Sequence, residues 1–407
     1  TGRLDLCPTE LLYYVVGRSD GYDLGAMITA SHNPPEYNGL KLCGDRAQPL
    51  GQSALEDLLE HLPADVPGDV DDSPEPEQSV SASGDYMDYA LERAGNPPDD
   101  ADLKVVVDPG NGVGGLLWNL ISEKLHIRPV KLNFEPDGHF PAHLPNTSKR
   151  ENLEPLCGKV RQTGADLGLA YDGDADRVAV VLSNGRIMEP GQVAAAVGGR
   201  VLRRCGGGRM ALAMIASRNV LGALAQEGLQ PLLVPVGHTK VKKAIRRNDE
   251  VMFAAETSGH YYYRDFSCCD SSLLTTLHLL KLAAEDQLLP TAERLRRGWQ
   301  SPRQQPSFYF NDPSEAKQAC LDAAQQVLAD CPEWTEIICE KDDRVLRDCS
   351  PEDIEGADGV RVDYADWWFC VRPSGTEPKA RLVVEARSRE KVEKKLARLS
   401  GLFESKQ

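Results

Sequence analysis

No run of about 18 apolar residues, the length a membrane-spanning helix needs, occurs in this 407-residue chain. No CxxC pair is present, and the eleven cysteines are scattered, with only Cys268 and Cys269 adjacent. Zinc-site spacing and a disulfide framework are therefore not indicated, and reduced thiols in a cytoplasmic setting are expected. Positive charge is in deficit: 46 Lys and Arg stand against 62 Asp and Glu, a net charge of −16. So acidic a surface repels a phosphate backbone, which argues against nucleic-acid binding but leaves room for a local basic pocket holding a small anion. The N-terminal TGRLDLCPTELLYYVV has no basic region followed by an apolar run and a small-residue cleavage site, so it does not read as a signal peptide. With no Met at its start, the chain is expected to begin inside a longer gene product.

What is present is the composition of a globular protein, 41% hydrophobic and 27% charged, and a length suited to roughly two to four domains. Strand-like runs alternate with helix-like segments. Residues 104–108 (KVVVD) precede a Gly-rich turn and the apolar-periodic LLWNLISEKL, ENLEPLCGKVRQTG reads as a helix ending at Gly164, and RVAVVL reads as a strand closed by Asn184-Gly185. The fold class expected is α/β and multi-domain, with successive mixed or parallel sheets covered by helices, followed by a C-terminal α+β domain. Breaks are expected at the Pro, Asp and Ser-rich residues 66–84, near Glu189-Pro190 and near residues 301–306. The domains expected are thus 1–82, 83–187, 188–300 and 301–407.

Four loops carry chemistry. In Thr29-Ala30-Ser31-His32-Asn33-Pro34-Pro35-Glu36-Tyr37-Asn38-Gly39-Leu40-Lys41, a Ser at the tip of a sharply turned loop, flanked by His32 and Lys41, suits a nucleophile or phosphate carrier; a polar turn is the plainer alternative. In Asp172-Gly173-Asp174-Ala175-Asp176-Arg177, three carboxylates at alternate positions can converge on a hard divalent cation such as Mg²⁺ or Ca²⁺. The EF-hand pattern fails there, because Arg177 stands where Gly and Ser183 where Glu is required. The alternative, a solvated acidic turn, leaves three like charges repelling one another. Gly237-His238-Thr239-Lys240 and Glu256-Thr257-Ser258-Gly259-His260 offer a carboxylate and a hydroxyl for a pair of sugar hydroxyls and His groups for proton transfer, or are simply solvated loops. Arg372-Pro373-Ser374-Gly375-Thr376-Glu377-Pro378-Lys379 has the guanidinium, hydroxyls and glycine of a phosphate cradle, and also the composition of an ordinary turn.

Two patterns compete with these. Gly110-Asn111-Gly112-Val113-Gly114-Gly115 satisfies GxGxxG between a strand and a helix, the context of a nicotinamide dinucleotide site, but Gly-rich turns are common in α/β sheets. His139-Phe140-Pro141-Ala142-His143 has zincin-like His spacing, yet Pro141 breaks a helix and no Glu lies between the histidines, so a loop is expected.

Together and in this order the four loops resemble the α-D-phosphohexomutase family over nearly the whole chain. TASHNPPEYNGLK is similar to its phosphoserine loop, DGDADR to its metal loop, ETSGH to its sugar-reading loop and RPSGTEP to its phosphate-binding loop. NPPEYNGLK, GHTKV and SGHYYYRDF with CDSS look more like phosphomannomutases or dual phosphomannomutase/phosphoglucomutases than phosphoglucosamine mutases. The resemblance implies four domains around a central cleft and an isomerase that interconverts hexose 6-phosphate and hexose 1-phosphate, of mannose, glucose or both. It implies Ser31 as a phosphoserine, a hexose 1,6-bisphosphate intermediate and activator, and one Mg²⁺ per active site held by Ser31, Asp172, Asp174 and Asp176. Arg177 would stabilise the same phosphoryl oxygens, and Lys41 and His260, with His32 and His238, are the acid–base candidates. Glu256 and Ser258 would read the O3 and O4 hydroxyls, while Arg372, Ser374, Gly375 and Thr376 would hold the phosphate that is not reacting. The partners expected are hexose phosphates, with no nucleic acid and no membrane, in a monomer or homodimer. This chain departs from the family in the short stretch before Ser31, which makes the first domain look truncated, and in Ala255, where Gly is usual. An inactive sugar-phosphate binder and a nicotinamide-dependent oxidoreductase remain as alternative readings.

Overall fold

The computed structural model describes residues 1–50, 52–61, 78–98, 102–296, 298–301, 305–374 and 377–404. The breaks expected at 66–84 and 301–306 fall partly outside these residues. Two compact units are distinguished, one of residues 1–208 with 252–292 and the other of residues 209–251 with 293–407. No helix among the described residues is long and apolar enough to cross a membrane.

The first unit opens with helix α1 (Thr9–Arg18), an element the sequence reading did not assign. Strands β1 (Leu24–Ile28) and β2 (Leu40–Gly44) then pair antiparallel, with Met27 opposite Lys41 and Gly25 opposite Cys43. Side chains alternate across a strand, so Lys41 shares a face with the buried Cys43 and points away from the exposed Leu40. Helix α2 (Ser83–Ala94) follows. Strand β3 (Val105–Asp108) is buried at every position, as a β-branched run covered on both faces should be. Helix α3 (Arg150–Thr163) ends where expected, because Gly164 takes the left-handed conformation (φ 63°) that closes a helix.

Strand β4 (Leu167–Tyr171) pairs parallel to β3 and antiparallel to β5 (Val178–Leu182). Residues 130–131 and 187–188 flank the two edges, so this sheet is mixed. The turn between β4 and β5 is the acidic loop 172–177. Strands β6 (Val251–Ala255) and β7 (Tyr261–Tyr263) form an antiparallel hairpin whose turn is 256–260. Cys269–Asp270 adds a short strand to β7, and helix α4 (Ser272–Ala284) begins at once, capped by Ser271, whose Oγ accepts the Leu274 amide at 2.9 Å.

In the second unit the short strands Arg209–Ala213 and Leu232–Val234 pair in parallel. Its C-terminal part is a six-stranded antiparallel sheet packed against the helices Pro313–Asp330 and Arg389–Glu404, the α+β layout expected from the segregation of its helices and strands. Glu336–Lys341 is a strand in that sheet that the sequence reading did not assign.

Candidate active site

The acidic loop closes a tight hairpin between two buried strands. Asp172, Asp174 and Asp176 are 0%, 4% and 2% exposed, too buried for the solvated turn that was the alternative. Ala175 has a positive φ of 58°, a conformation that disfavours a side chain and turns the two flanking carboxylates toward the same side. One oxygen from each Asp lies within 4.8 Å of the others. Oδ1 of Asp174 and Oδ1 of Asp176 are buried and have no hydrogen-bond partner among the described residues. An all-oxygen set with unsatisfied buried lone pairs fits a hard divalent cation.

Ser31 meets this loop. It follows β1 in a left-handed conformation (φ 54°), and its Oγ lies 3.0 Å from Asp172 Oδ2 and 3.1 Å from His32 Nδ1. Glycine at 173 is what permits the approach: a Cβ there would lie 2.2 Å from the Ser31 carbonyl oxygen. The Gly-rich turn after β3 packs on the other side. A Cβ on Gly112 would sit 2.6 Å from the Gly173 carbonyl oxygen, and the Val113 amide donates to that oxygen at 3.0 Å. In this structure the GxGxxG residues support the acidic loop by close backbone packing. His139-Phe140-Pro141-Ala142-His143 is a loop, with His143 Nε2 3.2 Å from Asp108 Oδ2.

Charge in the site is tightly balanced. Lys41 Nζ lies 2.6 Å from Asp174 Oδ2 and 2.5 Å from Asp176 Oδ2. Burial opposes its charge, but Asp176 and Asp174 outweigh that and hold the ammonium well above the usual lysine range. Burial, then the charges of Asp176 and Asp174, push Asp172 well above the usual carboxylate range. Asp176 goes the other way: burial works against its charge, yet Lys41 and His260 hold it low. Arg177 Nε lies 3.5 Å from Asp172 Oδ2 and donates to His260 Nε2 at 2.9 Å. Burial and the charge of Arg177 push His32 down to about 4, so it is neutral near pH 7.

The turn 256–260 adjoins the acidic loop, since the Val178 amide donates to the Gly259 carbonyl at 3.2 Å. His260 Nδ1 is 2.9 Å from Asp270 Oδ2 and 3.7 Å from Asp176 Oδ1. With Arg177 donating to Nε2, the proton of a neutral His260 sits on Nδ1 and points at Asp270. Burial lowers the His260 pKa, and Asp176 and Asp270 more than restore it, leaving it raised against the opposing charge of Arg177. Glu256 is buried and accepts from Tyr262 Oη at 2.5 Å, while Ser258 is half-exposed. In the second unit, His238 is the first residue of the helix His238–Arg247 and is exposed. Arg372 is half-buried, its Nε has no hydrogen-bond partner among the described residues, and the Ser374 amide donates to the Lys379 carbonyl at 2.7 Å. Gly375 and Thr376 lie outside the described residues.

The structure thus gathers Ser31, His32, Lys41, Asp172, Asp174, Asp176, Arg177 and His260 in one unit, with Glu256 and Ser258 on the adjoining turn. Sequence reasoning gave no role to three further residues. Thr9 Oγ1 and Thr29 Oγ1 donate to Asp174 Oδ2 at 2.9 and 3.0 Å, and Thr29 Oγ1 also accepts the Ser31 amide at 2.8 Å. Asp270 orients His260. Thr29 and Asp270 lie within quoted motifs, but Thr9 carries no local signal.

Four family descriptions match in order along the chain: phosphoglucomutase/phosphomannomutase alpha/beta/alpha domain I over residues 1–65, domain II over 84–185, domain III over 189–301, and the C-terminal domain over 314–401. A phosphomannomutase/phosphoglucomutase of Pseudomonas putida is 31% identical over 401 residues, covering 98% of this chain and 79% of that protein. A phosphomannomutase of Methanocaldococcus jannaschii is 28% identical over 400 residues, covering 97% and 82%. The solved structure of a phosphoglucomutase/phosphomannomutase family protein from Burkholderia thailandensis is similar at a TM-score of 0.76 and 27% identity, covering 100% of this chain and 82% of that one. The N-acetylphosphoglucosamine mutase of Aspergillus fumigatus, at a TM-score of 0.56 and 18% identity over 98% of this chain and 93% of its own, shares the fold.

Proposed function

The chain belongs to the phosphoglucomutase/phosphomannomutase family, and we propose that it interconverts hexose 6-phosphate and hexose 1-phosphate, of mannose, glucose or both, through a phosphoserine at Ser31. The observation that carries this reading is the placement of Ser31 Oγ 3.0 Å from Asp172, beside two buried carboxylates with unsatisfied oxygens. A hydroxyl held against a cation site is the arrangement a phosphoryl carrier needs.

In the forward half-reaction the sugar hydroxyl attacks the phosphorus on Ser31. The sugar O–P bond forms as the Ser31 Oγ–P bond breaks, giving a hexose 1,6-bisphosphate and, once Oγ regains a proton, a free serine. The second half-reaction returns the other phosphoryl group to Ser31. Asp172, Asp174, Asp176 and the phosphoserine would hold a Mg²⁺, which would supply neutralisation of charge on the phosphoryl group. Arg177 is placed to stabilise the same oxygens. Neutral His32, with Nδ1 3.1 Å from Ser31 Oγ, takes the hydroxyl proton when a phosphoryl group returns. Lys41, held protonated by its two carboxylates, serves as a proton donor, and His260 exchanges a proton at Nε2 once Arg177 turns to the phosphoryl group. Glu256 and Ser258 read sugar hydroxyls, and Arg372 and Ser374, with Gly375, Thr376 and His238, hold the distal phosphate, so that remote binding positions the reacting end.

The test is single-turnover transfer from radiolabelled glucose 1,6-bisphosphate, with the label located by peptide mapping, beside mannose 1-phosphate and glucose 1-phosphate assays. Label is expected on Ser31, and Ser31→Ala is expected to lose both label and turnover while remaining folded. Near-normal turnover in Ser31→Ala removes the carrier role, and a labelled Ser31 without turnover identifies an inactive sugar-phosphate binder.

A further inference from the structure

We infer that Glu10 and Ser272 are a positioning pair for the metal loop, forming a buried hydrogen-bond chain from the first turn of α1, through the start of α4, to the carbonyl of Ala175. The inference rests on the reading of Asp172, Asp174 and Asp176 as metal ligands.

Glu10 is fully buried. Tyr86 Oη donates to its Oε2 at 2.9 Å, and the Leu273 amide lies 3.2 Å from each carboxyl oxygen. Ser272 Oγ lies 3.3 Å from Glu10 Oε1 and 2.6 Å from the Ala175 carbonyl oxygen. A serine hydroxyl has one proton to donate, and the shorter contact assigns it to Ala175. Oε1 and Ser272 Oγ then face each other without a proton between them unless Glu10 carries one. A protonated Glu10 resolves the conflict, with Oε1–H donating to Ser272 Oγ and Ser272 Oγ–H donating to Ala175. Burial pushes Glu10 up to about 7 even though Ser271, Tyr86 and Leu273 donate to it, which agrees with that assignment.

Ala175 is the residue that needs holding. It separates Asp174 from Asp176 and keeps a positive φ of 58°, so a fixed carbonyl there keeps both carboxylates on one side. The preceding residue of α1 grips the loop at its neighbour: the Thr9 amide donates to the Asp174 carbonyl at 3.1 Å and its hydroxyl to the Asp174 carboxylate. Consecutive residues of one helix therefore fix both the backbone and a ligand of the same loop.

The test uses the full chain, with Mn²⁺ binding followed by electron paramagnetic resonance, steady-state kinetics with mannose 1-phosphate and Mg²⁺, and melting curves to confirm folding. Ser272→Ala and Glu10→Ala are expected to weaken Mn²⁺ binding roughly tenfold or more and to lower kcat. KM for the sugar phosphate should stay within about twofold of the parent. Glu10→Gln, whose amide N–H takes the place of the Oε1 proton, should stay within about twofold on every measure, and the double Ala variant should bind Mn²⁺ no more weakly than Ser272→Ala alone, since both act on one path. Unchanged Mn²⁺ affinity in a folded Ser272→Ala protein overturns the inference, as do additive losses in the double variant or a Glu10→Gln protein as impaired as Glu10→Ala. If Glu10→Ala does not fold, Ser272→Ala and Glu10→Gln decide the matter. A parent protein that moves no phosphoryl group but shows these Mn²⁺ effects sinks the mutase reading and upholds the positioning pair.

Discussion

Each ionisable side chain at the site is set by its immediate neighbours. His260 shows this most directly, with Asp270 on Nδ1, Arg177 on Nε2 and Asp176 within 3.7 Å. A protonated His260 has no lone pair to accept from Arg177, so the two states of the ring require two positions of the guanidinium. Asp270 supplies negative charge that favours the imidazolium and fixes the ring against rotation. Asp270→Asn keeps the shape and removes the charge. The His260 ring is expected to titrate at lower pH in that variant by NMR, and kcat is expected to fall by roughly tenfold or more; an unmoved titration curve excludes Asp270 as the source of the raised value.

At the scale of elements, the site is a set of turns held together by what lies behind them. Gly173 and Gly112 let three turns stack backbone to backbone, while α1 and α4 approach from the buried side. Glu10 ties α1 to α2 through Tyr86 and to the N-terminus of α4 through Leu273. Its carboxyl is raised from 4.5 to about 7 in the fold, chiefly by burial. The folded protein therefore binds a proton more tightly than the unfolded chain, and stability falls as pH rises from about 4.5 to about 7, then levels off. The difference is on the order of 3 kcal/mol. Glu10→Gln removes that titration. The variant is expected to melt higher than the parent at pH 8 and to show little advantage at pH 5. Equal melting differences at both pH values mean that Glu10 is ionised throughout.

For the whole molecule, the candidate site residues divide between the two compact units. The three carboxylates and Ser31 belong to the first, and Arg372 and Ser374 to the second. A cation bound at the carboxylates stabilises the unit that contains them, by about 2.7 kcal/mol at one hundred times its dissociation constant. Saturating Mg²⁺ is expected to raise the melting transition of the first unit by several degrees relative to EDTA, at about 2–4 °C per kcal/mol for a unit of its size. The Tyr-rich β6–β7 hairpin makes that transition visible in near-ultraviolet circular dichroism. A transition that ignores Mg²⁺ places no cation there. The net charge of −16 also works in one direction, since a bound divalent cation relieves part of the self-repulsion of the acidic chain.

The loops were legible in the sequence because their chemistry is local. Three Asp at alternate positions, or a Ser and a His just ahead of a Pro-Pro turn, carry the same donor atoms in any fold. Strand β3 and the end of α3 at Gly164 were legible for a similar reason, a β-branched run and a glycine that favours the left-handed conformation. Helix α1 was not, and neither were Thr9 and Glu10 upon it, because their meaning depends on partners far along the chain. Thr9 is 165 residues from Asp174 and Glu10 is 263 from Leu273. The sequence by itself determined which ligand atoms the chain possesses and the order in which the loops come. Only the tertiary structure decided which of them meet, which oxygens stay unsatisfied and which groups keep their protons, since those outcomes follow from burial and from distances of about 3 Å between residues no local pattern connects.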